Sequence, residues 1–262
     1  MKLMINGHEA FIATGGRDFD PALPAVVLLH GAGFDHTAWA LHSRWFAHHG
    51  FAVLVPDLPG HGWSEGPALR SIGEMADWII ALLGAAGAPK AHLIGHSMGS
   101  LIALDAAARH SSRVTALSLV GTAATMTVGP DLLKAAEANE AAAIDMVSIW
   151  GLGFRAELGG SLAPGLWMHG GAQTTLQRCA PGVLFSDLSA CNAYADALSA
   201  AASVSVPTTL ILGERDMMTP AKAGKALASA IPHARTVVLP GAGHMLMAER
   251  PDELLAALGV TA

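Results

Sequence analysis

The chain has 262 residues, of which 52% are apolar and only 14% charged, below the ~25% charged share of an average domain. That composition suits one large or two small domains with a sheet covered on both faces. The formal net charge of −6, without a basic run, argues against nucleic-acid binding, and no apolar stretch reaches the ~18–20 residues that cross a bilayer.

In chain order, Leu3 to Ala13 carries Asn6-Gly7, a two-residue hairpin signal that predicts antiparallel strands over 3–5 and 8–13. Met1 to His8 lacks a secretory apolar core and cleavage site, so a cytoplasmic protein is expected. Ala25–Leu29 is a continuous apolar run and reads as a buried strand ending in His30-Gly31-Ala32-Gly33. A helix is predicted over 39–49, with His48-His49 as a solvated pair near its end. Phe51–Val55 is a second buried strand, followed by the irregular Asp57-Leu58-Pro59-Gly60-His61-Gly62-Trp63-Ser64. Ser71 caps a helix to Leu83, with Glu74 completing a capping box.

Ala91–Ile94 is a third buried strand. It runs into Gly95-His96-Ser97-Met98-Gly99, and a helical pattern over 98–110 follows at once. This strand–turn–helix setting is what a G-x-S-x-G nucleophile elbow requires: a serine on a strained turn, with small neighbours on either side. Val114–Val120 is the next strand. The alternation so far predicts a mainly parallel, doubly wound α/β sheet.

The alternation then stops. Residues 124–202 hold no strand-like run; 132–150, 174–178 and 184–201 look helical, and the segment reads as an inserted helical cap. The core is therefore expected over 1–123 and 203–262. The sheet resumes at Thr208–Leu212 and ends in Gly213-Glu214-Arg215-Asp216. A helix follows over 220–230, then a last strand at 236–239, Gly243-His244, and a closing helix from Pro251 to Leu258. Cys179 and Cys191 make no disulfide framework. None of the histidines sits in an H-x-x-x-H pattern with a glutamate beside it, so no metal site and no cofactor are expected.

Open α/β sheets bind ligands at the carboxyl ends of their strands, where Ser97, Asp216 and His244 all fall. Serine is a poor nucleophile until a base takes its proton. His244 could do so near neutral pH, and Asp216 would orient the imidazole and stabilise its cation. The N–H groups of Met98 and Ala32 are the natural oxyanion donors. Glu214 is the alternative acid, with Asp216 then only capping the helix after it.

The motifs at 30–33, 57–64, 95–99, 213–216 and 243–244 together resemble the α/β-hydrolases that bear caps, a group of esterases, lactonases, C–C bond hydrolases and cofactor-free haloperoxidases. The resemblance implies an eight-stranded sheet, a cap inserted after Val120, Ser97 as nucleophile, His244 as base and Asp216 as acid. It also implies backbone donors at Ala32 and Met98. His30, His61 and Asp57 read as loop organisers, and His96 receives no role.

Gly33, Trp150, Phe154, Trp167, Phe185 and Met217 are the pocket candidates; for the aromatic ones the plain alternative is the cap's own core. The expected activity is hydrolysis of neutral, hydrophobic carboxylic esters with short or medium acyl groups, through an acyl-enzyme. A lactonase or C–C hydrolase is the nearest rival, and a non-enzymatic small-ligand receptor is the rival from another class. The expected partner is a small-molecule ester, with the chain a monomer or homodimer.

Overall fold

The computed structural model describes residues 1–161 and 165–259. Residues 162–164 of the expected cap and 260–262 of the expected core lie outside that description. Strands β1 (Lys2–Ile5) and β2 (His8–Ala13) form the expected hairpin, with Ile5 paired to His8 and positive φ at both Asn6 and Gly7. There follow β3 (Ala25–Leu29), a 3₁₀ turn (His36–Trp39), α1 (Ala40–His48), β4 (Ala52–Pro56) and α2 (Ile72–Ala85). Asp35 caps the 3₁₀ turn through the Thr37 N–H, so the helix expected over 39–49 opens on a tighter turn. Ser71 caps α2 by accepting the Glu74 N–H, and the Glu74 carboxylate accepts the Arg70 N–H one residue before that cap.

The centre of the chain supplies β5 (Ala91–His96), α3 (Met98–Arg109) and β6 (Val114–Val120). Six helices come next: α4 (Pro130–Glu137), α5 (Ala141–Trp150), α6 (Phe154–Glu157), α7 (Met168–Arg178), α8 (Val183–Ala193) and α9 (Ala197–Ser203). The single helix expected over 132–150 is broken at Asn139, which has φ +53° and whose side-chain oxygen accepts the Gly182 N–H at 2.7 Å. The one expected over 184–201 is broken at Tyr194, whose hydroxyl donates to Asp105 of α3. The helix expected over 174–178 begins earlier, at Met168. The chain closes with β7 (Thr208–Gly213), α10 (Ala221–Ala228), β8 (Arg235–Leu239), α11 (Leu246–Glu249) and α12 (Pro251–Ala257).

The eight strands form one sheet in the order β1-β2-β4-β3-β5-β6-β7-β8, parallel from β4 onward. The unbroken apolar runs are explained by the two faces. In β3, Val27 and Leu29 point into one cluster with α2, α3 and α10, while Val26 and Leu28 point into another with α1 and α12. Strands buried on both sides need no polar alternation. Helices α4, α5, α7 and α8 lie over the carboxyl end of the sheet, and α9 packs on α3 and α10. Among the described residues no helix is long and apolar enough to cross a membrane.

Candidate active site

Ser97 joins β5 to α3 with φ +53° and ψ −120°, a backbone conformation costly for any residue with a side chain. The elbow is held by close packing. A Cβ on Gly95 would lie 2.0 Å from the Gly99 oxygen, and one on Gly99 would lie 2.5 Å from the Leu29 oxygen. Only glycine permits these approaches: Gly95 is required by the turn of the elbow onto its own helix, and Gly99 by contact with the neighbouring strand β3. Met98 is the first residue of α3, so its N–H has no intrahelical acceptor. The Ala32 N–H also lacks a hydrogen-bond acceptor among the described residues.

His244 follows β8 in a buried turn. Its Nδ1 lies 2.8 Å from Asp216 Oδ2, and its Nε2 is buried with no hydrogen-bond partner among the described residues. Asp216 follows β7 and is itself tightly held: Oδ1 accepts the N–H groups of Met218 and Thr219, and Oδ2 accepts the Thr219 hydroxyl at 2.7 Å. Burial alone would raise its pKa. The His244 ring and the Thr219 donors outweigh burial, so Asp216 is held below the usual carboxylate range. Glu214, the alternative acid, instead accepts the Gly241 N–H at 2.8 Å from an exposed position.

His96 lies beneath this pair. Its Nε2 donates to the His244 carbonyl at 2.9 Å, and the two rings are 4.7 Å apart. Burial and the nearby His244 push its pKa down to about 3, so it is neutral. His30 is neutral too, pushed down to about 4 chiefly by burial. Its Nδ1 donates to the Gly31 carbonyl and its Nε2 accepts the Leu58 N–H, pinning two loops together.

Ser97, His244, Ala32 and His96 line one cavity of about 310 Å³, closed above by Leu132, Val147 and Leu188 of the helical segment. Of the pocket candidates, Trp150 and Met217 line this cavity. The other pocket candidates fall elsewhere. Phe154 is 74% and Trp167 69% exposed, both outside this cavity. Phe185 is half-buried and packs in the apolar cluster beneath α8. Gly33 points away, its N–H donating to the Asp187 carboxylate. Aromatic content alone did not say which face of each short helix turns inward.

No lysine or arginine lines the cavity among the described residues. Arg178 lies at the surface beside Asp35. Asp35, His36 and Asp57 bring three potential metal-ligating atoms within 4.8 Å of one another. Asp57, however, spends its oxygens on the His36 N–H and ring and on the Trp63 N–H, as a loop organiser does. Thr219, Glu249 and Asp187 belong to no motif in the sequence. The available signal for Asp187 was a lone charge in the otherwise uncharged helix Val183–Ala193.

Residues 26–258 match the alpha/beta hydrolase family. The chain belongs to the alpha/beta hydrolase family. It is 34% identical to a pimeloyl-[acyl-carrier protein] methyl ester esterase of Chromobacterium violaceum, over 90% of this chain and 92% of that one. Its fold superimposes on the enol-lactonase from Burkholderia xenovorans LB400 with a TM-score of 0.88 and 26% identity, covering 99% of this chain and 98% of the other. A thermophilic esterase matches at TM-score 0.79 and 26% identity, covering 99% and 95%. This alpha/beta hydrolase is accordingly a carboxylic-ester hydrolase.

Proposed function

We propose that this hydrolase cleaves neutral, hydrophobic esters through an acyl-enzyme on Ser97. The observation that carries this reading is the His244 ring. Its Nδ1 is held at 2.8 Å by Asp216 and its Nε2 is left free of partners in the cavity that Ser97 lines. A hydrogen on Nδ1, fixed by the carboxylate, makes Nε2 the base. In the first step Ser97 Oγ attacks the ester carbonyl carbon and its proton passes to His244 Nε2. The oxyanion is stabilised by the N–H groups of Ala32 and Met98. The intermediate collapses, and the leaving alkoxide takes the proton from Nε2 and departs as the alcohol. Water then attacks the acyl-enzyme, giving its proton to Nε2. Collapse returns that proton to Ser97 and releases the acid. His96, through the His244 carbonyl, keeps the turn carrying the base in place.

The apolar lining, with Met126, Leu132, Val147, Leu188, Met218 and Met245, supports an uncharged acyl group of short to medium length. The absence of cationic side chains among the described lining residues weighs against the dianionic substrates of C–C hydrolases. The Chromobacterium relative is named for a methyl ester, so a small alcohol and a larger acyl group is the division we favour. The enol-lactonase likeness supports a second reading, ring opening of an unsaturated lactone by the same steps. The two free thiols, Cys191 buried and Cys179 half-buried, suit a cytoplasmic protein.

The test is hydrolysis of p-nitrophenyl and methyl esters from acetyl to dodecanoyl by wild type and Ser97→Ala, with an enol-lactone alongside. Wild-type turnover with a chain-length optimum, reduced at least ~10³-fold in Ser97→Ala at unchanged Tm, is expected. Turnover retained by the variant overturns the reading.

A further inference from the structure

Asp187 is a fully buried carboxylate on α8, far in sequence from every residue of the proposed chemistry. Its Oδ2 accepts the Gly33 N–H at 2.8 Å and lies 2.8 Å from His61 Nε2. Gly33 immediately follows Ala32. The same stretch of backbone is clasped by the helical segment on its other side. At Gly33, φ is +70°, and a Cβ there would lie 2.9 Å from both Leu176 of α7 and Leu184 of α8. The loop is therefore wedged between two leucines and tied by one carboxylate, all three from helices above the pocket.

His61 closes the arrangement. Its Nδ1 faces the Pro59 carbonyl at 3.1 Å, and a carbonyl only accepts, so that nitrogen carries a hydrogen. Its Nε2 then shares a proton with Asp187. Burial alone would lower the His61 pKa, but the Asp187 carboxylate and the two hydrogen bonds reverse that and raise it. The other ionisable groups around the pair are His30, whose ring is 4.9 Å from that of His61, together with Asp57, Cys179 and Cys191. His30 is neutral and both thiols are pushed far up by burial, so His61 is the partner that matches the Asp187 charge.

We propose that Asp187 is a positioning residue for the oxyanion loop: anchored by His61, it holds the Gly33 N–H and thereby aims the Ala32 N–H at the developing negative charge. The inference rests on the reading of Ala32 as an oxyanion donor. It makes the helical segment part of the catalytic geometry as well as a pocket wall. A donor held loosely still lets substrate bind, but it stabilises the transition state less. The signature is thus a fall in kcat with KM unchanged, together with weaker binding of a tetrahedral mimic.

The experiment compares wild type, Asp187→Ala and Asp187→Asn on p-nitrophenyl butyrate, and measures inhibition by an alkyl trifluoromethyl ketone, which forms an oxyanion on the serine. Asp187→Ala is expected to lower kcat at least tenfold per folded molecule, keep KM within twofold and weaken the ketone by a factor matching the kcat loss. Asp187→Asn is expected to recover to within about threefold of wild type. Its amide oxygen, in the place of Oδ2, still accepts the Gly33 N–H and a hydrogen from Nε2 of a neutral His61, which gives up its bond to the Pro59 carbonyl. Unchanged kcat and ketone affinity in Asp187→Ala, with wild type inhibited normally, overturns the inference alone. An Asp187→Asn variant as impaired as Asp187→Ala also overturns it. A wild type that turns over ester but ignores the ketone removes the oxyanion reading itself. Should Asp187→Ala not fold, His61→Phe carries the same comparison: it strips Asp187 of its anchor, and the same loss at constant KM supports the role, while unchanged kcat rejects it.

Discussion

The Gly151 carbonyl accepts the backbone N–H of His244 at 3.1 Å, and that of Met245 at 2.9 Å. The proposed base is thus held by the first residue after α5. A second link runs parallel to it. Buried Glu249 accepts the N–H groups of Gly153 and Gly243, at 3.1 and 2.9 Å, with one carboxylate oxygen. Hydrogen bonds to a charged group are each worth more than neutral ones. Glu249→Ala is expected to lose about 2 kcal/mol or more, roughly 4–8 °C in Tm for a chain of this size. Thermal unfolding followed by circular dichroism reads this, and an unchanged Tm would show that the two links are redundant.

Asp216 and Glu214 lie two residues apart, but their environments separate them. Asp216 is buried against His244, whereas Glu214 is exposed and bonded to a turn. Asp216→Asn is expected to lower kcat by about 10²–10⁴-fold, since the amide no longer fixes the tautomer or stabilises the cation. Glu214→Gln should stay within about twofold of wild type, as an exposed substitution does. Steady-state rates of the two variants decide the acid; the reverse ranking transfers the role to Glu214.

Acid should destabilise the fold well above the carboxylate range. His30, His42 and His92 are pushed down to about 4 and His96 to about 3, in each case first by burial. In the unfolded chain these rings take up protons near 6.5. Between those values the unfolded state binds more protons than the folded state, so stability falls as pH drops from 6.5 toward 4. His61 works the other way: its raised pKa stabilises the fold below 6.5 and loses that contribution as pH rises through the folded value. Four rings outweigh one in the acid window. Urea unfolding midpoints at pH 7, 5.5 and 4.5 should decrease in that order, and His92→Val should flatten the slope. A flat profile would mean that the rings charge without unfolding.

Val147 and Leu132 face the cavity from α5 and α4, opposite the sheet edge that carries Ser97. Filling the space with Val147→Phe should shift the acyl-chain optimum shorter and raise KM for octanoate more than for acetate. Leu132→Ala should shift it longer. Rates along the p-nitrophenyl ester series measure both, and parallel changes at every chain length would place the acyl group elsewhere.

Much of the architecture is legible in the sequence because it rests on local rules. Val114–Val120 and Lys2–Ala13 follow from apolar runs and an Asn-Gly turn. The elbow follows from two glycines, Gly95 packed against Gly99 and Gly99 against Leu29, where a Cβ would not fit. Ser97, Asp216 and His244 can be picked out together because each ends a strand of one parallel sheet, and such ends meet along one edge. The short helices over that edge follow no such rule. Asn139 and Tyr194 break two predicted helices through hydrogen bonds to Gly182 and Asp105, partners 43 and 89 residues away in sequence. Phe154 and Trp167, aromatic and close to the pocket in sequence, turn outward, because the facing of a short helix is decided by what packs beneath it. Asp187 is the clearest case: in the chain it is one acid in an otherwise uncharged helix, and only the fold brings it to Gly33 and His61, where burial requires that its charge be matched.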